Sequence, residues 1–226
     1  MARSAADEKI LSYNDVVLRR LDLDILSGRH FLNDRILEFY FSYLSSNLSA
    51  QDILLVPPGI TFWTMNCPFK DSLQDVLEPL KFSDKRLILF PVNDNEDVTH
   101  AEGGSHWSLL VYERDANVFV HHDSNRGMNN RCARKLQKAV ASFVAAPDGE
   151  AKYLDLNESP QQVNGYDCGL YVAATARAIL SWSEQSDNEL GDGLWFEYVK
   201  ERVTPSAVSG LRSEILQLIK GLMSSK

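Results

Sequence analysis

The chain has 226 residues, 44% of them apolar and 24% charged, with a formal net charge of −8. That balance is ordinary for a globular protein with a full core, and its sign leaves no general basic field for nucleic acid. It suits a basic partner or a basic peptide tail instead. The N-terminal MARSAADEK carries no apolar segment and no stretch reaches the length of a membrane span, so a soluble, intracellular protein is expected. Cys67, Cys132 and Cys168 are too few and too scattered for a disulfide framework or a C-x-x-C zinc site, and neither a metal nor a cofactor is expected.

Residues from Met1 to about Lys9 are polar and are expected to be loose. YNDVVLRRLDLDIL mixes apolar and polar residues as a strand followed by a short turn would. In FLNDRILEFYFSYLSSNL, Ile36, Phe39, Tyr40, Tyr43 and Leu44 recur at helical spacing, with Asn33 or Asp34 as the cap. DILLVPP reads as a short strand stopped by two prolines, and GITFWTM and SLQDVLEPL read as short helices. RLILFPV is a continuous run of β-favouring apolar residues, which predicts a central strand. HWSLLVYER and NVFVHHDS then form a hairpin around the Glu-Arg-Asp-Ala-Asn turn. Arg131 to Ala146 has helical periodicity, and AKYLDL is a further strand. A buried helix runs from Cys168 to about Trp182, EQSDNELGDG is a loop, and an amphipathic helix starts at Pro205. No low-complexity linker or internal repeat divides the chain. A single α+β domain is expected, with a mostly antiparallel central sheet and flanking helices.

The chemistry centres on Cys168, in the string QQVNGYDCGLYVAATARAIL. A cysteine just before an apolar helical run meets the positive end of that helix, where thiolate is favoured over thiol. Most cysteines in helices are packing residues. Here Asp167 and Gly169 suit a turn entering a helix, and Gly169 is expected to leave the thiol open on one side. His106 opens the strand HWSLLVY behind Gly103, Gly104 and Ser105, which points to a site that needs room. Asp123, on the next strand of the hairpin, is placed to orient that histidine, although Asp-Ser-Asn is also an ordinary turn. Gln162 is a candidate oxyanion donor beside the backbone N–H of Cys168, but composition does not separate it from Gln161. His121 and His122 alternate across a strand and read as structural or surface residues. The set amounts to nucleophile, base, orienting carboxylate and oxyanion donor, the four parts of acyl transfer by a cysteine hydrolase.

Taken together, GGSHW, HHDS and PQQVNGYDCG resemble the Ulp/SENP family of ubiquitin-like-protein proteases, and within it the deneddylase branch that acts on the Nedd8/Rub modifier. The resemblance extends through LSYNDVVLRR, FLNDRILEFYF and VLEPLKFSDKRLILFPVNDN, and so covers most of the chain. It implies a papain-like cysteine protease fold, with His106 as base, Asp123 as orienting carboxylate, Cys168 as nucleophile and Gln162 as oxyanion donor. Trp107 matches the indole that covers a narrow tunnel for the modifier's Gly-Gly end. Phe31 stands where the family usually has Trp, which implies a looser second lid. Asp34 matches a position that pairs with an arginine of the modifier tail, or caps the helix it opens. Asp34, Glu96, Asp97 and Glu102 are acids that suit such a tail. The implied partners are Nedd8/Rub and its conjugates, such as cullins, met by a monomer in the cytoplasm and nucleus. A SUMO protease shares every catalytic residue and is the first alternative. A non-catalytic binder would not need the four residues, and an acyltransferase fits the acidic surface less well.

Overall fold

The computed structural model describes residues 5–99, 103–144, 149–186 and 193–225. The chain opens with a 3-10 turn over Ala5–Asp7 and a hairpin of β1 (Lys9–Tyr13) and β2 (Val16–Arg19). Residues 5–9, expected to be loose, are therefore held, and Arg20 N donates to the Glu8 carbonyl at 2.9 Å. Asn14 turns the hairpin at φ 49°, a left-handed conformation that asparagine tolerates better than most residues. RLDLDILS, expected as a turn, forms α1 (Arg20–Ser27). Its helical register is set by Asp22, whose carboxylate caps the backbone N–H of Arg19 at 2.7 Å.

α2 (Asp34–Ser46) buries Ile36, Leu37, Phe39, Tyr40 and Phe41. Asn33, not Asp34, is its cap, accepting from Ile36 N at 3.1 Å. β3 (Ile53–Leu55) leads through Pro57 and Pro58 into α3 (Pro58–Asn66), then α4 (Lys70–Leu77). Next come β4 (Leu87–Asn93), β5 (Trp107–Glu113), β6 (Val118–His122), α5 (Asn130–Val144), β7 (Lys152–Asp155) and α6 (Cys168–Ser186). A short α7 (Phe196–Arg202), which the periodicity does not signal, precedes α8 (Pro205–Ser224). The loop expected over EQSDNELGDG begins as the last turn of α6, and its 187–192 portion lies outside the described residues.

The main sheet has the order β3-β4-β5-β6-β7. Its two central pairings are antiparallel and its two outer ones parallel, so the expected antiparallel character holds only at the middle. Both outer strands are reached through helices, α3 and α4 on one side and α5 on the other, and such crossovers return a strand in parallel. β5 and β6 are buried at every residue and β4 at all but its last, as strands covered on both faces must be. Pro91 is tolerated in β4 because it lies past Leu89, the last residue paired with β3. On one face Trp107, Leu109, Val111, Val118 and Val120 pack with α2, α6 and α8. On the other, Phe90, Leu110, Tyr112 and Phe119 pack with α3, α4 and α5. The start of α6 thereby lands against the start of β5.

Candidate active site

His106 is placed by the residue that ends β4's reach. The Asp94 carboxylate accepts from Ser105 N at 2.6 Å, from His106 N at 3.0 Å and from Ser105 Oγ at 2.7 Å. Burial works against a charge there, but these hydrogen bonds hold the Asp94 carboxyl below its usual range. Gly104 has φ +82°, and a Cβ on it would lie 2.0 Å from Asn93 Oδ1. Gly104, two residues before the histidine, is thus required by close approach of the chain to β4, a packing demand and not the open space at the site that the sequence pattern points to.

Asp123 follows β6, and the antiparallel register Leu109↔His122 carries it beside His106. His106 Nε2 and Asp123 Oδ1 are 2.6 Å apart, with both side chains almost fully buried. The same carboxylate accepts from Asn125 N and Asn129 N, each at 2.9 Å. The turn role and the orienting role proposed for Asp123 are therefore both filled by one group. Burial opposes its charge, yet His106 and the two backbone donors keep its carboxyl below the ordinary range. With Nε2 taken, Nδ1 is the ring nitrogen left for Cys168, which lies near enough to help raise His106. Burial disfavours the imidazolium, but the bonds and charge interactions with Asp123 and Cys168 prevail and raise His106 to about 9.

Cys168 is the first residue of α6, and its side chain is buried. Asp167 caps that helix start, its carbonyl accepting from Tyr171 N at 2.9 Å. The Asp167 carboxylate accepts from Asn164 Nδ2 at 2.7 Å and pairs with Arg212 at 2.8 Å. Gly169 has a different role from the one expected. A Cβ there would come within 2.9 Å of Leu32 Cβ and 3.4 Å of Trp107 Cδ1, so its bareness admits these neighbours and not solvent.

The two glutamines separate cleanly. Gln161 Nε2 donates to the carbonyls of Asp123 and Ser159, and its Oε1 accepts from Arg126 N. Its amide is therefore consumed in stapling two loops. Gln162 Nε2 donates to the Asn164 carbonyl at 2.7 Å and its Oε1 accepts from Ser124 Oγ at 2.8 Å. One N–H of Gln162 has no partner among the described residues.

A groove of about 460 Å³ leads to His106 between Leu21, Ile25, Phe31, Asp34, Gly104 and Trp107. Phe31 is 51% exposed and lies open along it. Trp107 is 5% exposed, donates from Nε1 to the Leu32 carbonyl at 3.0 Å, and belongs to the core as well as to the groove wall. Glu96 is spent on Arg131 and Lys135, and Asp97 accepts from Thr99, so neither acid faces a tail unengaged. Glu102 lies outside the described residues. His121 and His122 are both buried. His121 joins Ser108 and Asp155, and His122 accepts from Trp195 Nε1 at 2.9 Å and contacts Ser159. They are structural, and neither is at the surface.

Three contributors escape a reading of the sequence. Asp94 had a faint signal, the N-D-N cluster after a strand. Asp22, itself fully buried, pairs with a partly exposed Arg35 at 2.9 Å and accepts from Asn33 Nδ2 at 2.7 Å, fixing the segment that carries Phe31. Arg212 of α8 reaches the carbonyls of Ile25 and His30 as well as Asp167. Neither Asp22 nor Arg212 has a local mark in the chain.

Known proteins resemble this chain in sequence and in fold. The model of the Ulp1 protease family, C-terminal catalytic domain, matches residues 30–195. NEDD8-specific protease 1 of Arabidopsis thaliana is 54% identical over 224 residues, covering 99% of this chain and 98% of that protein. Human sentrin-specific protease 8 is 29% identical over 221 residues, covering 96% and 98%. In the X-ray structure of the C-terminal Ulp1 protease domain in complex with Smt3, the yeast ortholog of SUMO, the protease superposes with a TM-score of 0.68 at 20% identity. The match covers 97% of this chain and 90% of that one. The fold is therefore the papain-like α+β arrangement that the sequence resemblance implies. With most of its length matched by the family model and a near full-length relative at 54%, this chain belongs to the Ulp1 protease family.

Proposed function

We propose that the chain is a thiol protease that cuts after the C-terminal Gly-Gly of a NEDD8-type modifier, in precursors and in conjugates to lysine. The observation that carries the chemistry is the 2.6 Å His106–Asp123 contact set beside Cys168 at the head of α6. The modifier is inferred from the 54% identity with a NEDD8-specific protease over nearly the whole of both chains.

In this reading the Cys168 proton passes to His106, and the sulfur attacks the carbonyl carbon of the last glycine. The carbonyl oxygen takes up the negative charge and meets the Cys168 backbone N–H and the spare N–H of Gln162. Collapse breaks the C–N bond, and the leaving amine takes the proton from His106. A pKa near 9 suits that step, since the imidazole still carries its proton at neutral pH. Water, deprotonated by His106, then hydrolyses the thioester and restores the thiol. Asp123 holds the ring so that Nδ1 faces the sulfur throughout. The groove between Phe31 and Trp107 receives the tail, with Asp34 along its wall to meet a basic residue. Glycines pass where a side chain would strike the aromatic walls.

Cullin conjugates are the substrates this reading favours. We infer a monomer that works in the reducing cytoplasm and nucleus, which the three free cysteines fit. The test is kcat/KM on C-terminal fluorogenic derivatives of NEDD8, SUMO and ubiquitin. Strong preference for NEDD8 is expected. Equal cleavage of SUMO would remove the NEDD8 assignment and leave the thiol chemistry standing.

A further inference from the structure

Gln162 is gripped at more than its side-chain nitrogen. Its backbone N–H donates to the Ser124 carbonyl at 2.9 Å, and the Ser124 hydroxyl donates to its Oε1 at 2.8 Å. Ser124 is buried, follows Asp123 directly, and lines a tight cavity of about 10 Å³ together with Cys168. The Asn164 carbonyl, which can only accept, holds one Nε2–H at 2.7 Å. An amide free at one end turns about its last torsion at little cost, because that torsion is broad. Fixed at both ends, it keeps its remaining N–H on one heading.

We infer that Ser124 is a positioning residue for the oxyanion donor: it clamps the Gln162 amide by backbone and hydroxyl so that the free N–H faces the carbonyl attacked by Cys168. The inference rests on the role of Gln162 given above. It also makes one turn serve two ends of the reaction, since Asp123 aims the base and Ser124 aims the donor. The energy involved is that of one hydrogen bond made more useful in the transition state than in the ground state, which is worth about tenfold in rate.

The test is a double-mutant cycle with Ser124→Ala and Gln162→Ala on a fluorogenic NEDD8 substrate. Ser124→Ala should lower kcat about tenfold and leave KM within about twofold. Affinity for a NEDD8 ending in an aldehyde should fall about tenfold as well. Its adduct forms by addition of the Cys168 S–H across the C=O, so its oxygen occupies the oxyanion position. Binding of intact NEDD8 to the Cys168→Ala form should not change on adding Ser124→Ala, and Ser124→Thr should regain most of the rate. On the Gln162→Ala background Ser124→Ala should change kcat by less than about twofold. If the two losses multiply instead, or if ground-state binding falls with kcat, Ser124 acts by another route and the inference fails alone. If Gln162→Ala is itself silent, the oxyanion role of Gln162 fails, and the inference falls with it.

Discussion

Three thiols compete for any electrophile, and their surroundings rank them. Cys132 is buried in α5, and burial together with the charge of Glu96 pushes its thiol up. Cys67 donates to the Phe69 carbonyl at 3.2 Å, away from His106. Among the described residues only Cys168 lies beside a histidine, so a NEDD8 bearing a C-terminal electrophile should label Cys168 alone. Mass mapping of the adduct checks this, and Cys168→Ala should abolish turnover while retaining binding. Asp123→Asn should keep the fold and lose rate by orders of magnitude, because an amide presents the wrong group to Nε2. Trp107 has a double duty that the structure brings out. Truncation to alanine empties a core site and should cost about 3–5 kcal/mol in a urea melt, alongside the loss of a groove wall. Stability unchanged by Trp107→Ala would return the indole to the purely substrate-facing role. The reacting residues are legible in the chain because chemistry leaves local marks: glycines before His106, a turn after Asp123, a capping Asp before Cys168. Asp22 and Arg35 leave none, since an ion pair that buries one acid is visible only once two separate segments meet.

At the scale of elements, the three central strands β4, β5 and β6 are legible because two-sided burial writes them as largely apolar runs. α1 is not, because Leu21, Leu23 and Ile25 alternate with Asp22 and Asp24 as in a strand, and its capping acid looks like one charge among several. The parallel outer pairings are not legible either, because direction follows from helices crossing the sheet and not from strand composition. α8 shows what a single residue can tie together. Arg212 joins the carbonyls of Ile25 and His30 to the carboxylate of Asp167, the residue whose backbone carbonyl accepts at the start of α6, with both charged side chains largely buried. Arg212→Ala should therefore destabilise by about 3 kcal/mol, because it strands Asp167 without its partner. Arg212→Lys should recover only part, since an ammonium cannot span three acceptors as a planar fork does. Urea midpoints of the two variants decide it, and an unchanged midpoint for alanine would show that the clamp carries no load.

For the whole molecule, two histidines set opposite limits on pH. His122 is buried and kept neutral, its pKa driven down to about 3 by burial and by His121. An unfolded histidine titrates near 6.5, so between about 6.5 and 3 the unfolded chain binds a proton that the folded chain refuses. Stability is thus lost as pH falls through that window, by up to about 1.4 kcal/mol per unit. His106, raised to about 9, works the other way: its contribution is complete below 6.5 and is lost as pH climbs towards 9. Melting temperature should peak near neutrality, with His122→Gln flattening the acid arm and His106→Gln the alkaline arm. An acid arm that is unaltered in His122→Gln would assign it to the carboxylates instead. The Arg212 clamp has a further consequence in time. During synthesis the nucleophile and its histidine leave the ribosome well before position 212, so the cap of α6 stays unanchored until the final helix emerges. A nascent chain is on this account a protease without a trigger, and a chain stopped before Pro205 should remain so.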